Sequence, residues 1–266
     1  MLKKLIIHGG VSENPREDTF DILQAICGDA FARCGTALDA AVEAVRLMEE
    51  HPRFNAGFGC SLQADGQARM TASIMESNGM NFAGVVNIMR VRNPILVVRT
   101  LLGADSPILA GAEATAYARE KGFADFDPVS TERRAQWEKR KADGHGTVGA
   151  VALDDAGNIV AATSTGGRGN EYPGRVSDSG MPPGNYANPA LGVSCTGRGE
   201  DIIRVALAST MAARVRDGAP LPGAVAKVLS ELQAISGRAA FIALSAGGEI
   251  AASQSYGKVL YAVSPR

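Results

Sequence analysis

A threonine that follows a glycine at the start of an apolar run is the residue in this sequence best suited to do chemistry. A polar run, 130–143, stops at Gly144-His145-Gly146, and Thr147 then opens a run of small and β-branched residues that predicts a buried strand. Cleavage before Thr147 would leave it with a hydroxyl and a free α-amine. That amine has a pKa near ~8, so it could take the hydroxyl proton. These residues alone leave open the alternative that Thr147 is simply the first residue of a strand.

Further polar groups follow at the ends of predicted strands. Thr165 and Thr196 are both flanked by glycine, and the amides beside Thr196 and Gly197, at a strand-to-helix junction, are suited to an oxyanion hole. Arg175 and Asp178 form an i, i+3 pair in a loop, where a guanidinium can grip a carboxylate and a carboxylate can hold an ammonium. The pair therefore predicts recognition of an amino-acid head group, with an ordinary surface ion pair as the alternative.

The composition limits the classes of function. The chain has 266 residues, 45% of them hydrophobic, and a formal net charge of −1, which is typical of a globular protein with a large core. A net charge near zero argues against a nucleic-acid or membrane-surface partner. The apolar runs are too short to span a bilayer, and residues 1–8 leave no room for a signal peptide. Four cysteines without a framework favour a reduced, cytoplasmic protein, and three histidines without ligand spacing argue against a catalytic zinc.

Hydrophobic periodicity and turn residues predict the elements that must position these groups. The predicted helices are 18–33, a second helix capped by Thr36, 106–121, 199–216 and 221–235. The predicted strands are 3–8, 70–76, 82–91, 147–153, 159–163, 191–195, 239–244, 249–252 and 259–263. Residues 8–10 predict a turn where the backbone can approach another group closely, 51–60 a structured loop, and 125–143 a polar connector. Strands clustered around helices in both halves favour a layered α+β sandwich.

Nine short segments together carry a resemblance to a known family. In chain order they are IIHGG, RFNAGFG, ASIM, RVRNPI, HGTVGAVALD, ATSTGG, PGRVSDS, GNYAN and SCTGRGE. They resemble the plant-type asparaginase and isoaspartyl peptidase family of N-terminal-nucleophile hydrolases, in the right order and over nearly the whole chain. The glycine clusters, by contrast, contain no GxxxxGK[ST] and lack the GxGxxG spacing after a strand, which argues against a nucleotide-binding module.

The resemblance implies a four-layer αββα sandwich formed by a single domain, 1–266. The precursor would cleave itself between Gly146 and Thr147. The products would be an α chain, 1–146, with a linker at about 125–146, and a β chain, 147–266, that stay together.

The resemblance also implies a role for each candidate residue. Thr147 would attack the side-chain carbonyl of an L-aspartyl substrate, and its own amine would act as the base. The other matched positions are Thr165 orienting the nucleophile, Thr196 and Gly197 forming the oxyanion hole, Arg175 and Asp178 clamping the substrate head group, Gly199 lining the pocket, and Asn55 near the nucleophile.

The implied substrates are β-aspartyl dipeptides and L-asparagine, because a clamp on both α-substituents presents the β carbonyl to the nucleophile. No cofactor is required for this chemistry. The segment 48–58 resembles a sodium-binding loop, whose ligands would be the backbone carbonyls of Met48, Glu49, His51, Phe54, Ala56 and Phe58, and no side chain here demands the ion. The implied assembly is a homodimer of αβ units. The alternatives are a glycosylasparaginase-like amidase and an uncleaved, inactive relative that acts as a binding protein.

The sequence departs from the family pattern at several places. Val11-Ser12 replaces the usual Ala-Gly, Thr71 an aspartate and Ser177 a glycine, and 180–183 and 236–240 differ in their turns. We expect Ser177 and Arg238 on the leaving-group side, which puts the substrate in question more than the mechanism. His145 is interpreted as a free linker histidine.

Overall fold

The computed structural model describes residues 1–139 and 146–265. The helices are α1 (Asp18–Arg33), α2 (Ala37–Glu50), α3 (Pro94–Leu101), α4 (Gly111–Glu120), α5 (Thr131–Glu138), α6 (Gly199–Arg204), α7 (Leu207–Arg216) and α8 (Leu221–Ala234). The strands are β1 (Leu2–Ser12), β2 (Met70–Glu76), β3 (Phe82–Ile88), β4 (Ile108–Ala110), β5 (Val148–Asp154), β6 (Ile159–Thr165), β7 (Asn185–Ala187), β8 (Leu191–Gly197), β9 (Ala239–Ser245), β10 (Ile250–Gln254) and β11 (Lys258–Ser264). No helix in these two ranges is long and apolar enough to cross a membrane.

Two sheets stack face to face between layers of helices. One sheet has seven strands in the order β11-β1-β5-β6-β2-β3-β4, and the other has four in the order β10-β9-β8-β7. One apolar core lies between the larger sheet and α1 to α3, a second between the two sheets, and a third between the smaller sheet and α7 and α8. Three cores separating four layers confirm the expected αββα sandwich.

Strand β5, which follows Thr147, lies in the middle of the larger sheet. It pairs antiparallel with β1 on one side and with β6 on the other. All seven of its residues are buried, because helices cover one face of the sheet and the second sheet covers the other. The start of β5 is therefore held by neighbours on every side, as a catalytic residue at that position would require.

Several predicted elements match the structure closely. Helix α1 has the predicted bounds, and Thr36 caps α2 by accepting a hydrogen bond from the Asp39 amide at 3.1 Å. The hairpin after Thr147 forms as β5 and β6, and residues 51–60 form a structured loop in which the Phe58 amide donates to the Glu49 carbonyl at 2.7 Å. The four cysteines are free thiols.

Other elements differ from the prediction, each for a physical reason. Strand β1 does not end in a turn at residue 8 but runs on to Ser12, with a bulge between His8 and Val11. The predicted helix 106–121 begins only at Gly111, because 108–110 pairs in parallel with β3. The predicted helix 199–216 is two helices, separated by the left-handed Ala206 (φ 47°).

Two helices were not predicted at all. Helix α3 is a short, largely apolar segment that starts with Pro94 at its first turn. Helix α5 lies inside the polar connector, where the Ser130 hydroxyl caps it by accepting from the Arg133 amide at 3.2 Å. The rest of that connector, 140–143, and His145 lie outside the described residues.

Candidate active site

The hydroxyl of Thr147 lies beside the polar end of the neighbouring strand. Its Oγ1 donates to Oγ1 of Thr165 at 3.1 Å, and the Gly167 amide donates to the same Thr165 oxygen at 3.2 Å. Because β5 and β6 are paired with Val148 opposite Ser164, this contact follows directly from the sheet register. The structure thus joins the Thr147 and Thr165 hydroxyls by a hydrogen bond, and the orienting role that the resemblance implies for Thr165 stays a prediction.

Asn55 ties the residue before Thr147 to the strand end after β6. Its amide donates to the Gly146 carbonyl at 3.2 Å, and its side-chain Nδ2 donates to the Gly167 carbonyl at 2.6 Å. Its Oδ1 accepts from the Ser61 amide at 2.6 Å, and the side chain is fully buried. The carbonyl that a cleavage reaction would attack therefore already accepts a hydrogen bond from a rigid backbone amide.

The bulge in β1 makes room for this junction. Gly10 has a φ of 110°, and a Cβ added there would lie 2.8 Å from Cα of Gly146. Only glycine combines that backbone angle with so close an approach. The prediction that the backbone at 8–10 approaches another group closely is therefore confirmed, and the group is Gly146.

The packing of the two sheets brings Thr196 opposite Thr147. A Cβ at Gly192 of β8 would lie 2.5 Å from Cγ1 of Val151, and a Cβ at Gly149 would lie 2.0 Å from Oγ of Ser194. Strands β5 and β8 therefore lie face to face in the two sheets, and their chains run in opposite directions. Because side chains alternate along a strand, the next facing pair is Thr147 and Thr196. Thr196 is 2% exposed, and Gly197 follows it with a φ of 129°.

Arg175, Gly199 and Asp178 meet at one point. A Cβ at Gly199 would lie 2.6 Å from Oδ1 of Asp178 and 2.8 Å from one terminal nitrogen of Arg175. The two charged ends therefore pack directly against the backbone of Gly199, where any side chain would displace them. Asp178 is 4% exposed, which argues against an ordinary surface ion pair, and the role of the two residues in binding a head group stays a prediction.

Burial disfavours the charged form of the Asp178 carboxyl. Burial raises the pKa of its carboxyl to about 6, although the Ser177 hydroxyl donates to Oδ1 at 3.1 Å and the charge of Arg175 favours the ionised form. Its Oδ2 is buried and has no hydrogen-bond partner among the described residues. An incoming ammonium group would supply the missing donors.

Ser177, which replaces a glycine of the family pattern, lies buried against Asp178. It is 5% exposed, and its hydroxyl donates to the Asp178 carboxyl at 3.1 Å and accepts from the Ser179 amide at 3.2 Å. Thr71, which replaces an aspartate, is buried opposite Thr165 in the register of β2 and β6. Arg238 is half-exposed, and its guanidinium pairs with Glu13 and stacks on Tyr256 at 4.4 Å from the ring centre.

Glu200 is a site residue that the sequence did not indicate. Its Oε1 accepts from Nε of Arg175 at 2.9 Å, and Arg168 approaches its other oxygen at 3.4 Å. Burial alone would raise the pKa of Glu200, but the hydrogen bond from Arg175 and the two positive charges bring it down to about 2. Glu200 thus holds the Nε side of the Arg175 guanidinium and leaves its terminal nitrogens for a ligand.

A buried polar network behind Thr147 was also not predicted. His8 Nε2 contacts Ser194 Oγ at 2.9 Å, Ser194 contacts Thr163 Oγ1 at 2.6 Å, and Thr163 donates to Asn185 Oδ1 at 3.0 Å. The Asn185 Nδ2 donates to a backbone carbonyl, so the order of donors assigns the proton to Nε2 of His8. Burial lowers the pKa of His8 to about 3, opposed only partly by the Thr147 backbone, so the ring is neutral. The network joins the two sheets directly beneath the nucleophile candidate.

The loop after α2 folds back tightly on itself. Gly57 has a φ of 54°, and a Cβ there would lie 2.4 Å from the Glu49 carbonyl oxygen. The Glu49 side chain is fully buried and accepts from the Ser164 hydroxyl at 2.6 Å and the Ile95 amide at 3.1 Å. Burial raises the pKa of Glu49 to about 8, so it is neutral at neutral pH. The loop is thereby fastened to β6, and its neutral carbonyl oxygens are ligands of the kind that a sodium ion takes.

Comparison with known proteins adds to this geometry. A family model described as asparaginase matches residues 1–145 and 138–265, which is nearly the entire chain. The two matched segments overlap at 138–145, immediately before Gly146. In the ranges 1–139 and 146–265 no group of histidine, cysteine, aspartate and glutamate side chains is arranged to hold a metal ion.

Individual relatives cover most of the chain. An isoaspartyl peptidase/L-asparaginase of Synechocystis sp. is 41% identical, over 94% of this chain and 84% of its own. An isoaspartyl peptidase of Salmonella typhimurium is 36% identical, over 93% of this chain and 90% of its own. A plant-type L-asparaginase of Pyrococcus abyssi is 36% identical, over 80% of each chain.

Proposed function

Because the chain belongs to the asparaginase family of amide hydrolases, we propose that it cleaves itself before Thr147 and then hydrolyses β-aspartyl dipeptides and the side-chain amide of L-asparagine. The observation that carries this proposal is the pairing of the Thr147 hydroxyl with Thr165 at 3.1 Å, next to a Gly146 carbonyl that accepts from the Asn55 amide at 3.2 Å. A nucleophile, its orienting group and a polarised carbonyl lie together at one peptide bond.

In the maturation step, Oγ1 of Thr147 attacks the carbonyl carbon of Gly146. The carbonyl oxygen becomes negatively charged and is stabilised by the Asn55 amide. The C–N bond then breaks as the proton given up by the Thr147 hydroxyl passes to the nitrogen, which leaves an ester between Gly146 and the threonine oxygen. Water hydrolyses the ester and frees both the Gly146 carboxylate and the Thr147 amine and hydroxyl.

In turnover, the substrate head group binds at the charged ends of Arg175 and Asp178, beside Gly199. Its α-carboxylate pairs with Arg175 and its α-ammonium with Asp178, so the β carbonyl faces Thr147. The Thr147 amine takes the hydroxyl proton as oxygen attacks, and the Thr196 hydroxyl and Gly197 amide stabilise the oxyanion. The proton passes to the departing amine, and water then hydrolyses the β-aspartyl ester to release aspartate.

Intact mass spectrometry tests the proposal directly. After a day at neutral pH the purified chain is expected to give two fragments, the second beginning at Thr147. Thr147→Ala is expected to remain one chain and to lose hydrolysis by on the order of 10⁴-fold or more, because hydroxyl and amine are both absent from that position. Thr147→Ser should still cleave, since it retains both groups.

Thr210→Ala, a hydroxyl deletion in α7 on the far side of the smaller sheet, is the matched control and should mature normally. A wild-type chain that stays uncut and binds aspartyl compounds without hydrolysing them would instead make it an inactive relative. Faster hydrolysis of sugar-bearing asparagine than of β-aspartyl dipeptides would make it a glycosylasparaginase.

Three further properties are proposed from the family resemblance. Two αβ units form a dimer, the protein works in the cytoplasm, and the carbonyls of the 48–58 loop hold a sodium ion. Four free cysteines support a reducing compartment. The tight return of the loop at Gly57 supports the sodium site, because it folds the segment 48–58 back on itself and brings Gly57 against the Glu49 carbonyl.

A further inference from the structure

Arg198 stands between the two halves of the proposed site. It follows Gly197 of the proposed oxyanion hole and precedes Gly199 of the head-group pocket, and its side chain is exposed. Its backbone is held firmly, because its amide donates to the Arg238 carbonyl at 2.7 Å and its own carbonyl accepts from the Asp201 amide at 2.9 Å. A flexible cationic side chain therefore projects from a rigid base at the edge of the site.

The acidic groups around Arg198 are all engaged by other partners. Glu200 is held by Arg175 and Arg168, and Glu13 is held by Arg238. Asp201 accepts from the Arg238 amide at 3.0 Å. Within 1–139 and 146–265, the guanidinium of Arg198 makes no hydrogen bond or ion pair, so it is a cation without a counter-charge on the residue that follows the proposed oxyanion hole.

The chemistry of the substrates gives this cation a role. The clamp fixes the aspartyl head over Gly199, so the group on the far side of the scissile bond extends past Thr196 and Gly197 towards solvent. In a β-aspartyl dipeptide that group is an amino acid whose α-carboxylate lies one carbon from the scissile nitrogen. L-Asparagine has no such carboxylate, and a longer isoaspartyl peptide has it converted to an amide.

We propose that Arg198 binds the free α-carboxylate of the leaving amino acid and thereby selects β-aspartyl dipeptides over substrates that lack this charge. The inference rests on the proposed function and specifies its substrate class. An arginine fork matches a carboxylate in two hydrogen bonds, and binding energy from a part of the substrate that does not itself react raises kcat/KM. Because the side chain is exposed, the gain is modest and falls with added salt.

The test compares two substrates that differ only in this charge, β-aspartyl-leucine and its C-terminal amide. For the wild-type protein, kcat/KM for the acid is expected to exceed that for the amide by about fivefold at low salt. Arg198→Gln should bring the ratio close to one, Arg198→Lys should preserve part of it, and Arg198→Glu should reverse it. The control is Arg216→Gln, an exposed arginine at the end of α7 that pairs with Asp217, and it should leave the ratio as in wild type.

The outcomes separate this inference from the function on which it rests. A wild-type ratio near one, or an unchanged ratio in both Arg198→Gln and Arg198→Glu with maturation intact by mass, overturns the role of Arg198 while the hydrolase function stands. A wild-type protein inactive on both substrates and on L-asparagine overturns the proposed function, and this inference with it.

Discussion

At the scale of single residues, Asp178 makes substrate binding sensitive to pH. Its carboxyl must be ionised to pair with the substrate ammonium, and burial raises its pKa to about 6. The charge is therefore present above pH about 6 and is lost as the pH falls through that value. The Thr147 amine, with a pKa near ~8, must also lose its proton to act as base. We expect log kcat/KM to rise with slope two below pH about 6 and with slope one from there to pH ~8, and to level off above that value.

Ser177→Gly tests the assignment of the lower break to Asp178. The change removes the hydroxyl that donates to Oδ1 at 3.1 Å and favours the ionised form, so the break should move to higher pH. The upper limb, which belongs to Thr147, should not move. If the lower break in the pH profile stays at the same pH in this variant, that break belongs to a group other than Asp178.

The three candidate threonines were indicated by the glycine next to each of them at a predicted strand end, where the local pattern is distinctive. The residues that the sequence did not indicate act through partners far along the chain. Glu200 matters because it holds Arg175, 25 residues away, and His8 because it reaches Ser194, 186 residues away. Their neighbours in sequence carry no trace of these contacts, since both depend on how the two sheets and the following helices pack.

At the scale of elements, the sequence predicted best where local signals and tertiary pairing agree. Helix α1 has a clear apolar spacing, and the β5–β6 hairpin has turn residues between two apolar runs. Helix α3 was missed because a short apolar run has the same pattern whether it forms a buried helix or a buried strand. Strand β4 was missed because three residues become a strand only through pairing with β3.

The loop after α2 is the element whose stability we expect to depend on sodium. Replacing potassium with sodium at constant ionic strength should raise Tm, since an ion that binds only the folded state stabilises it by mass action. Gly57→Ala should abolish the sodium-specific rise, because its Cβ would collide with the Glu49 carbonyl and deform the loop. Differential scanning fluorimetry in the two salts measures both effects.

Gly248→Ala is the matched control for that experiment. Gly248 also has a positive φ, of 83°, but no atom lies within 4 Å of its Cβ position and it belongs to a distant turn. This variant should lose some stability from backbone strain and still respond to sodium. An identical Tm for the wild-type protein in the two salts would contradict the proposed sodium site in this loop.

At the scale of the whole molecule, the sheet topology decides what self-cleavage does to the protein. In the larger sheet the strands of the two expected chains are interleaved, since β11, β5 and β6 come from 147–266 and β1, β2, β3 and β4 from 1–146. Strand β1 pairs with β11 on one side and β5 on the other, and β2 pairs with β6. Cutting one peptide bond therefore removes a covalent link without opening any of these three strand pairings.

We accordingly expect the two chains to remain one particle after cleavage. Size-exclusion chromatography of matured protein should give a single peak that contains both fragments, at the elution volume of uncut Thr147→Ala, and the chains should separate only in denaturant. If two αβ units form the proposed dimer, light scattering of this peak should give twice the mass of one αβ unit. Release of either fragment in native buffer would mean that the interleaved strands do not hold the molecule together. Because β1 also carries His8 and the bulge against Gly146, loss of the α chain should remove activity along with it.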